Sequence, residues 1–267
     1  MLKNYKFAFF GTPEFAAIIL EKLIMAGWKP EVVVCNPDKP AGRKKIITSS
    51  PTKLLAVKYK IPVLQPENFP FSIFHSSFSK LDFAIVAAYG KIIPREIIDI
   101  FPKGVIGVHP SLLPKHRGSS PIQTAILNGD EETGVSLFLM DEKVDHGPVL
   151  VNRKWIMENR ENYEYLLKKL AEIGVELLIE NLSKWLDGAI KPISQDESSA
   201  SHTGKFITED GFVNLKKDNP AVIERKIRAL NPEPGVYTFL DLSGKQKRVK
   251  LLEAVLKDGQ LFITKIQ

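Results

Sequence analysis

Two side chains stand out for chemistry. One is His109, in "GVIGVHPSLLPKHRGSSP", a loop fenced by prolines that leaves an apolar run. The other is Asp145, in the turn "DEKVDHG". A lone histidine is most often a packing or surface residue, but Pro110 and Pro114 stiffen the backbone on either side of this one. A loop residue held on a rigid scaffold is a good place for function. A carboxylate brought to such an imidazole fixes its orientation and favours its charged form, which suits acid/base work or stabilisation of an oxyanion. No nucleophile accompanies the pair. Ser111, Ser119 and Ser120 lie near His109, yet none sits in a GxSxG elbow. No Cys/His grouping has metal-ligand spacing, and the single Cys35 allows no internal disulfide, so neither a metal nor an oxidising compartment is expected.

The elements that must position these residues read as α/β. "YKFAFF" ends at Gly11, where Thr12 can cap a helix with Pro13 at its first position. "EVVVCN", "IPVL", "LDFAIVAA" and "GVIGVH" follow as strands, the longer ones apolar throughout as in a parallel sheet covered on both faces. Helices alternate with them, so a doubly wound, mostly parallel sheet is expected. Ligands of such sheets sit beyond the carboxyl ends of the strands. The loops "YGKIIP", "HPSLLPKHRGSSP" and "DEKVDHG" are all expected there, which would put Asp145 at the same end as His109. "FGTPEF" is a further strand-to-helix turn but not a GxGxxG fingerprint, so nothing argues for a dinucleotide. Later, "GVSLFLM" and "PVLVNRKW" read as strands, and a long helix over 162–186 carries Leu166, Leu170, Ile173 and Leu177 on one face. "ISQDESSASHTG" shifts abruptly to small polar residues, which marks a linker. The expected domains are therefore 1–190, a linker over 191–204, and a small, mostly β module over 205–267 that could close as a compact barrel.

The whole chain has 267 residues, 44% apolar and 25% charged, enough for an ordinary core without staples. The apolar run at the N-terminus is too short for a secretory leader, and no stretch reaches membrane-spanning length. A cytoplasmic location without membrane association is expected. Net charge is +6. Seven cations and no acids fall between Lys39 and Lys60, and twelve Lys/Arg face eight Asp/Glu from Thr203 onward. Such stripes are either solvated surface or the footprint of an anionic partner such as nucleic acid.

In order, "FGTPEFA", "NPDKPAGRKK", "SPTKLLA", "IPVLQPE", "AAYGKIIP", "HPSLLPKHRGSSPIQTAILNGDEETGV" and "MDEKVDHG" resemble the methionyl-tRNA formyltransferase family, as do "KFITEDGFVNL" and "IRALNPEPGVYT" past the linker. The resemblance spans nearly the whole chain. It implies a Rossmann-like, mostly parallel sheet followed by a small OB-like β-barrel domain. The implied reaction moves a formyl group from 10-formyltetrahydrofolate, a co-substrate, to the amine of initiator methionyl-tRNA. By that resemblance His109 and Asp145 take the catalytic positions. Ser111, Leu112, Leu113, Pro114, Tyr89 and Gly90 take folate-contacting ones, and Arg43, Lys44 and Lys45 fall in the loop that reaches the tRNA. No metal and no obligate protein partner is implied, and a monomer is expected.

The chain departs from the family at Gly107, where the Asn-x-His pattern carries an asparagine, an oxyanion donor. It also has Lys143 and His146 where the family tends to carry Gly and Thr. Gly107 leaves room for water or for another side chain, with His146 the first candidate to compensate. Otherwise the enzyme is slowed, or catalysis is lost and tRNA or folate binding kept. A formyltransferase of the same fold acting on an amino sugar nucleotide or another small amine is the rival enzyme reading. The chain also ends at "ITKIQ", earlier than the family does, so some C-terminal tRNA contacts are expected to be missing.

Overall fold

A computed structural model of the chain describes residues 5–41, 46–158, 160–242 and 244–267. In chain order the first part runs β1 (Phe7–Gly11), α1 (Glu14–Met25), β2 (Val32–Val34), β3 (Lys39–Ala41), β4 (Ile46–Thr48), α2 (Pro51–Lys58), β5 (Val63–Leu64), α3 (Phe71–Phe78), β6 (Phe83–Ala87), α4 (Arg95–Ile98) and β7 (Val105–His109). It continues through β8 (Arg117–Gly118), α5 (Pro121–Asn128), β9 (Glu132–Leu139), β10 (Val149–Ile156) and α6 (Tyr163–Leu186). The last part holds β11 (His202–Thr203), α7 (Pro220–Leu230), β12 (Val236–Leu242), β13 (Lys245–Lys257) and β14 (Gln260–Ile266).

The main sheet has seven strands in the order β10-β9-β7-β6-β1-β2-β5. Pairing is parallel from β5 through β7 and antiparallel between β7 and β9. This is the expected Rossmann-like, doubly wound arrangement, with the order reversing between β1 and β6. The alternation of side chains along β1 explains why two layers cover it. Phe10 joins Phe74, Phe78 and Tyr89 in one buried cluster, whereas Phe7 stacks on Phe83 with ring centroids 4.9 Å apart. The expected stripe of α6 is buried at all four positions, Leu166, Leu170, Ile173 and Leu177. Within α6, Gly174 permits a close approach to β7: a Cβ there would lie 2.9 Å from Val108 Cγ1.

One expected cap is absent. Pro13 is the N-cap of α1 and supplies no side-chain bond. The Thr12 hydroxyl instead accepts from the Asn36 backbone N–H at 3.2 Å, joining the ends of β1 and β2. Ser50 does cap α2, accepting from the Lys53 N–H at 3.2 Å.

The described chain forms two compact units, Met1–Arg117 with Gly134–Lys154 and Lys168–Ser201, and Gly118–Thr133 with Trp155–Leu167 and His202–Gln267. In the second unit α7 packs on α5 and on β13. Its sheet is an antiparallel meander, β12-β13-β14. Among the described residues these three strands form an open sheet, so the OB-like label goes no further than a small C-terminal strand domain.

Candidate functional site

His109 is the last residue of β7, and its side chain is nearly buried, 7% exposed. Its Nε2 lies 2.9 Å from the carbonyl oxygen of His116. A carbonyl oxygen only accepts, so Nε2 carries a hydrogen in this arrangement. The other nitrogen, Nδ1, faces Asp145 Oδ2 at 3.5 Å. That is the outer limit of a hydrogen bond. Catalytic contacts are often this long without substrate and tighten in the reacting complex. A proton on Nδ1 turns the approach into an attractive one. The imidazole is then held between a backbone carbonyl and a carboxylate.

Ser136, opposite His109 across the β7–β9 pair, steadies the loop that follows. Its buried hydroxyl donates to the Ser111 carbonyl at 2.8 Å and accepts from the Leu113 N–H at 3.0 Å. Gly107 lies opposite Phe138. A Cβ built on Gly107 has three Phe138 ring atoms as its nearest neighbours, at 2.2, 2.5 and 2.9 Å. The space an asparagine side chain would take therefore holds an aromatic ring. His146, expected as a stand-in for that asparagine, is turned to carboxylates: Nδ1 lies 2.6 Å from Asp141 Oδ2 and Nε2 3.6 Å from Glu197 Oε1.

The route to Asp145 differs from the expectation. Because β9 is antiparallel to β7, Leu139 pairs with Ile106 and Ser136 with His109. The chain thus leaves β9 three residues short of the His109 level, about 10 Å at ~3.3 Å per residue. The 141–147 turn starts toward the other end of β7, and has to run back for its carboxylate to reach the imidazole. Gly147 allows this by lying so close to the Leu139 carbonyl that a Cβ would sit 1.8 Å from the oxygen. The Leu139 N–H also donates to the Pro148 carbonyl at 2.9 Å. Asp145 adopts a φ of 49°, in the left-handed region. Inside the turn, the Lys143 N–H donates to Asp141 Oδ1 at 2.9 Å.

Motif and spacing do not point to the residues behind this turn. Gln195 donates from Nε2 to the carbonyls of Asp145 at 2.9 Å and Gly147 at 2.7 Å. Its Oε1 accepts from Arg117, whose side chain is 2% exposed and grips Glu197 with two bonds of 2.7 and 3.0 Å. Those bonds hold the Glu197 carboxyl below its ordinary range, and the same partner raises Arg117. Arg117 lies inside the "HPSLLPKHRGSSP" loop, where nothing in the sequence sets it apart from the other cations. Gln195 and Glu197 lie in a stretch whose composition signals a linker.

The remaining expected residues are placed as follows. The Tyr89 ring is buried, 2% exposed, and packs edge-on to Phe10; burial pushes its phenol up to about 12. What Tyr89 offers the strand ends is its carbonyl, which accepts from Asn36 Nδ2 at 2.7 Å. Gly90 has φ +78°, which favours glycine. Ser111 and Leu113 are buried, and the Ser111 hydroxyl donates to the Lys115 carbonyl, while Leu112 and Pro114 are half-buried. Ile92 and Val144 are exposed apolar side chains on the 88–94 loop and the 141–147 turn. Arg43, Lys44 and Lys45 lie outside the described residues. Of the neighbouring cations, Lys53 is paired with Asp38 at 2.6 Å and Lys58 with Glu21 at 3.0 Å. Among the described residues, no group of three or more His, Cys, Asp or Glu could hold a metal ion, and no helix is long and apolar enough to cross a membrane.

Residues 5–182 match the model of the formyl transferase family and 205–261 that of the formyl transferase C-terminal domain. A methionyl-tRNA formyltransferase from Kosmotoga olearia is 40% identical over 256 residues, 95% of this chain and 81% of the relative. An N-formyltransferase from Helicobacter canadensis, solved with folinic acid and dTDP-3-aminofucose, superposes with a TM-score of 0.69 at 19% identity, over 95% of this chain and 88% of its own. HypX from Aquifex aeolicus, solved with tetrahydrofolic acid, gives 0.69 at 20% identity over 94% and 38%. These two structures share the fold, while the extended identity to the Kosmotoga protein goes further. The chain belongs to the methionyl-tRNA formyltransferase family.

Proposed function

We propose that this protein transfers the formyl group of 10-formyltetrahydrofolate to the α-amine of initiator methionyl-tRNA, with His109 and Asp145 as its acid/base pair. The observation that carries the reading is the approach of those two side chains, 3.5 Å apart, in a chain of this family. The neutral amine attacks the formyl carbon, forming the new C–N bond and placing negative charge on oxygen. His109 protonates or hydrogen-bonds that oxygen, exchanging the His116 carbonyl for it. The resulting ammonium passes its proton to Asp145, directly or through water. Collapse breaks the bond from carbon to N10 of the folate, which leaves with a proton as tetrahydrofolate. Neither a covalent intermediate nor a metal takes part in this sequence.

The pterin of the folate is flat and partly apolar, and the exposed Ile92 and Val144 are side chains of the kind that would cover it. Tyr89, Gly90 and the stretch from Ser111 to Pro114 contribute mainly backbone and shape to that site. Arg43, Lys44 and Lys45 are assigned to the tRNA, with residues 1–190 as the transferase domain and 205–267 as an accessory tRNA-contacting domain. Phe138 beside Gly107 makes His109 the main oxyanion donor. Loss of one such donor typically costs about 10²–10³ in kcat, so a slow enzyme is expected. The test is incubation with 10-formyltetrahydrofolate and charged initiator tRNA, reading N-formylmethionine. Formylation of an amino sugar nucleotide instead would overturn the acceptor assignment.

A further inference from the structure

The polar stretch 193–201 does more than connect. Its Ser201 accepts from the Arg117 N–H through its carbonyl at 2.8 Å and donates its own N–H to the Pro114 carbonyl at 3.2 Å. The Ser201 hydroxyl accepts from the His116 N–H at 2.9 Å. His116 is the residue whose carbonyl receives His109. Six residues earlier, Gln195 holds the carbonyls on either side of His146. One short segment therefore grips both the loop that orients the imidazole and the turn that delivers the carboxylate.

We infer that Gln195, itself fixed by the buried Arg117, is a positioning residue that sets the approach of Asp145 to His109; this rests on the proposed role of that pair in formyl transfer. The register makes the need plain. The 141–147 turn leaves β9 about 10 Å short of His109 and runs back with Asp145 in a left-handed conformation. Both amide hydrogens of Gln195 go to that turn, and its oxygen takes two bonds from one guanidinium. An amide so committed has little freedom, and Arg117 in turn is locked by Glu197. Among side chains of this length only an amide can both accept from arginine and donate to carbonyls.

The test compares Gln195→Met, which removes donors and acceptor, with Gln195→Glu, which keeps the acceptor for Arg117 and loses the donors. Both are expected to lower kcat for formylation by roughly 10–100-fold, the scale of a misplaced catalytic group. KM for tRNA and folate should stay within about threefold, since neither substrate is touched. The pH profile of kcat should change shape, and the ¹⁵N shift of His109 Nδ1 should move in the free protein. Folding is checked by thermal melting, and rates are normalised to folate-binding stoichiometry. Wild-type kcat, pH profile and imidazole shift in both variants, even with a lowered Tm, would overturn the inference. A protein that never formylates tRNA, yet whose His109 shift still responds to both variants, overturns the proposed function and leaves the positioning role standing.

Discussion

At the scale of single residues, the imidazole of His109 has one nitrogen committed to a backbone carbonyl and the other facing a carboxylate. His109→Gln and Asp145→Asn are each expected to cost about 10²–10⁴ in kcat, the range for losing a general acid or base. Steady-state formylation of charged tRNA by the purified variants reads this directly. Gly107 makes a separate prediction. Because a Cβ there would run into the Phe138 ring, Gly107→Ala should destabilise the fold by about 1–3 kcal/mol through overpacking. In a Phe138→Ala background the same change should cost much less, and that coupling is visible in a denaturant double-mutant cycle. Equal costs in both backgrounds would contradict the close approach of ring and glycine. The departure from the family pattern is plain in "GVIGVH"; the ring that fills it is not, because Phe138 lies on a strand whose register the sequence does not display.

At the scale of elements, strands and helices announce themselves through apolar runs and periodicity, and most of the sheet and the whole stripe of α6 are legible that way. What cannot be read is direction. Nothing in "GVSLFLM" says that β9 runs against β7, so a parallel reading starts the Asp145 turn from the wrong end of the sheet. Composition also misleads at 193–201, where serine and aspartate suggest solvent but Gln195, Glu197 and Ser201 bond back into the site. Glu197 supplies a pH test of that strap. Its carboxyl is held below the ordinary value by Arg117, so its contribution is present above about pH 4.3, the ordinary carboxylate value, and is lost as pH falls through the folded one. Glu197→Gln should therefore lower Tm at neutral pH, with the gap to wild type closing under acid. A gap that widens on acidification would contradict the pair. Gly147→Ala, which drives a methyl into the Leu139 carbonyl, should disrupt the turn and abolish formylation even where circular dichroism stays native.

At the scale of the whole molecule, charge and domain pattern bear on the acceptor. The basic stretch from Lys39 to Lys60 loses part of its excess to Asp38 and Glu21, which leaves Arg43, Lys44 and Lys45 as the cations assigned to phosphate. Replacing all three with alanine should weaken tRNA binding and flatten its salt dependence, by about 0.7–0.9 in log–log slope for each phosphate no longer neutralised. A filter-binding titration across ionic strength measures it, and an unchanged slope would remove that loop from the interface. The most direct measurement is single-turnover formylation of charged initiator tRNA by wild type, His109→Gln, Asp145→Asn and the double variant. Wild type should produce N-formylmethionine, each single variant should lose at least about a hundredfold, and the double should fall little further, because the two groups act as one unit. Formylation that persists at the wild-type rate without either side chain would contradict the central claim.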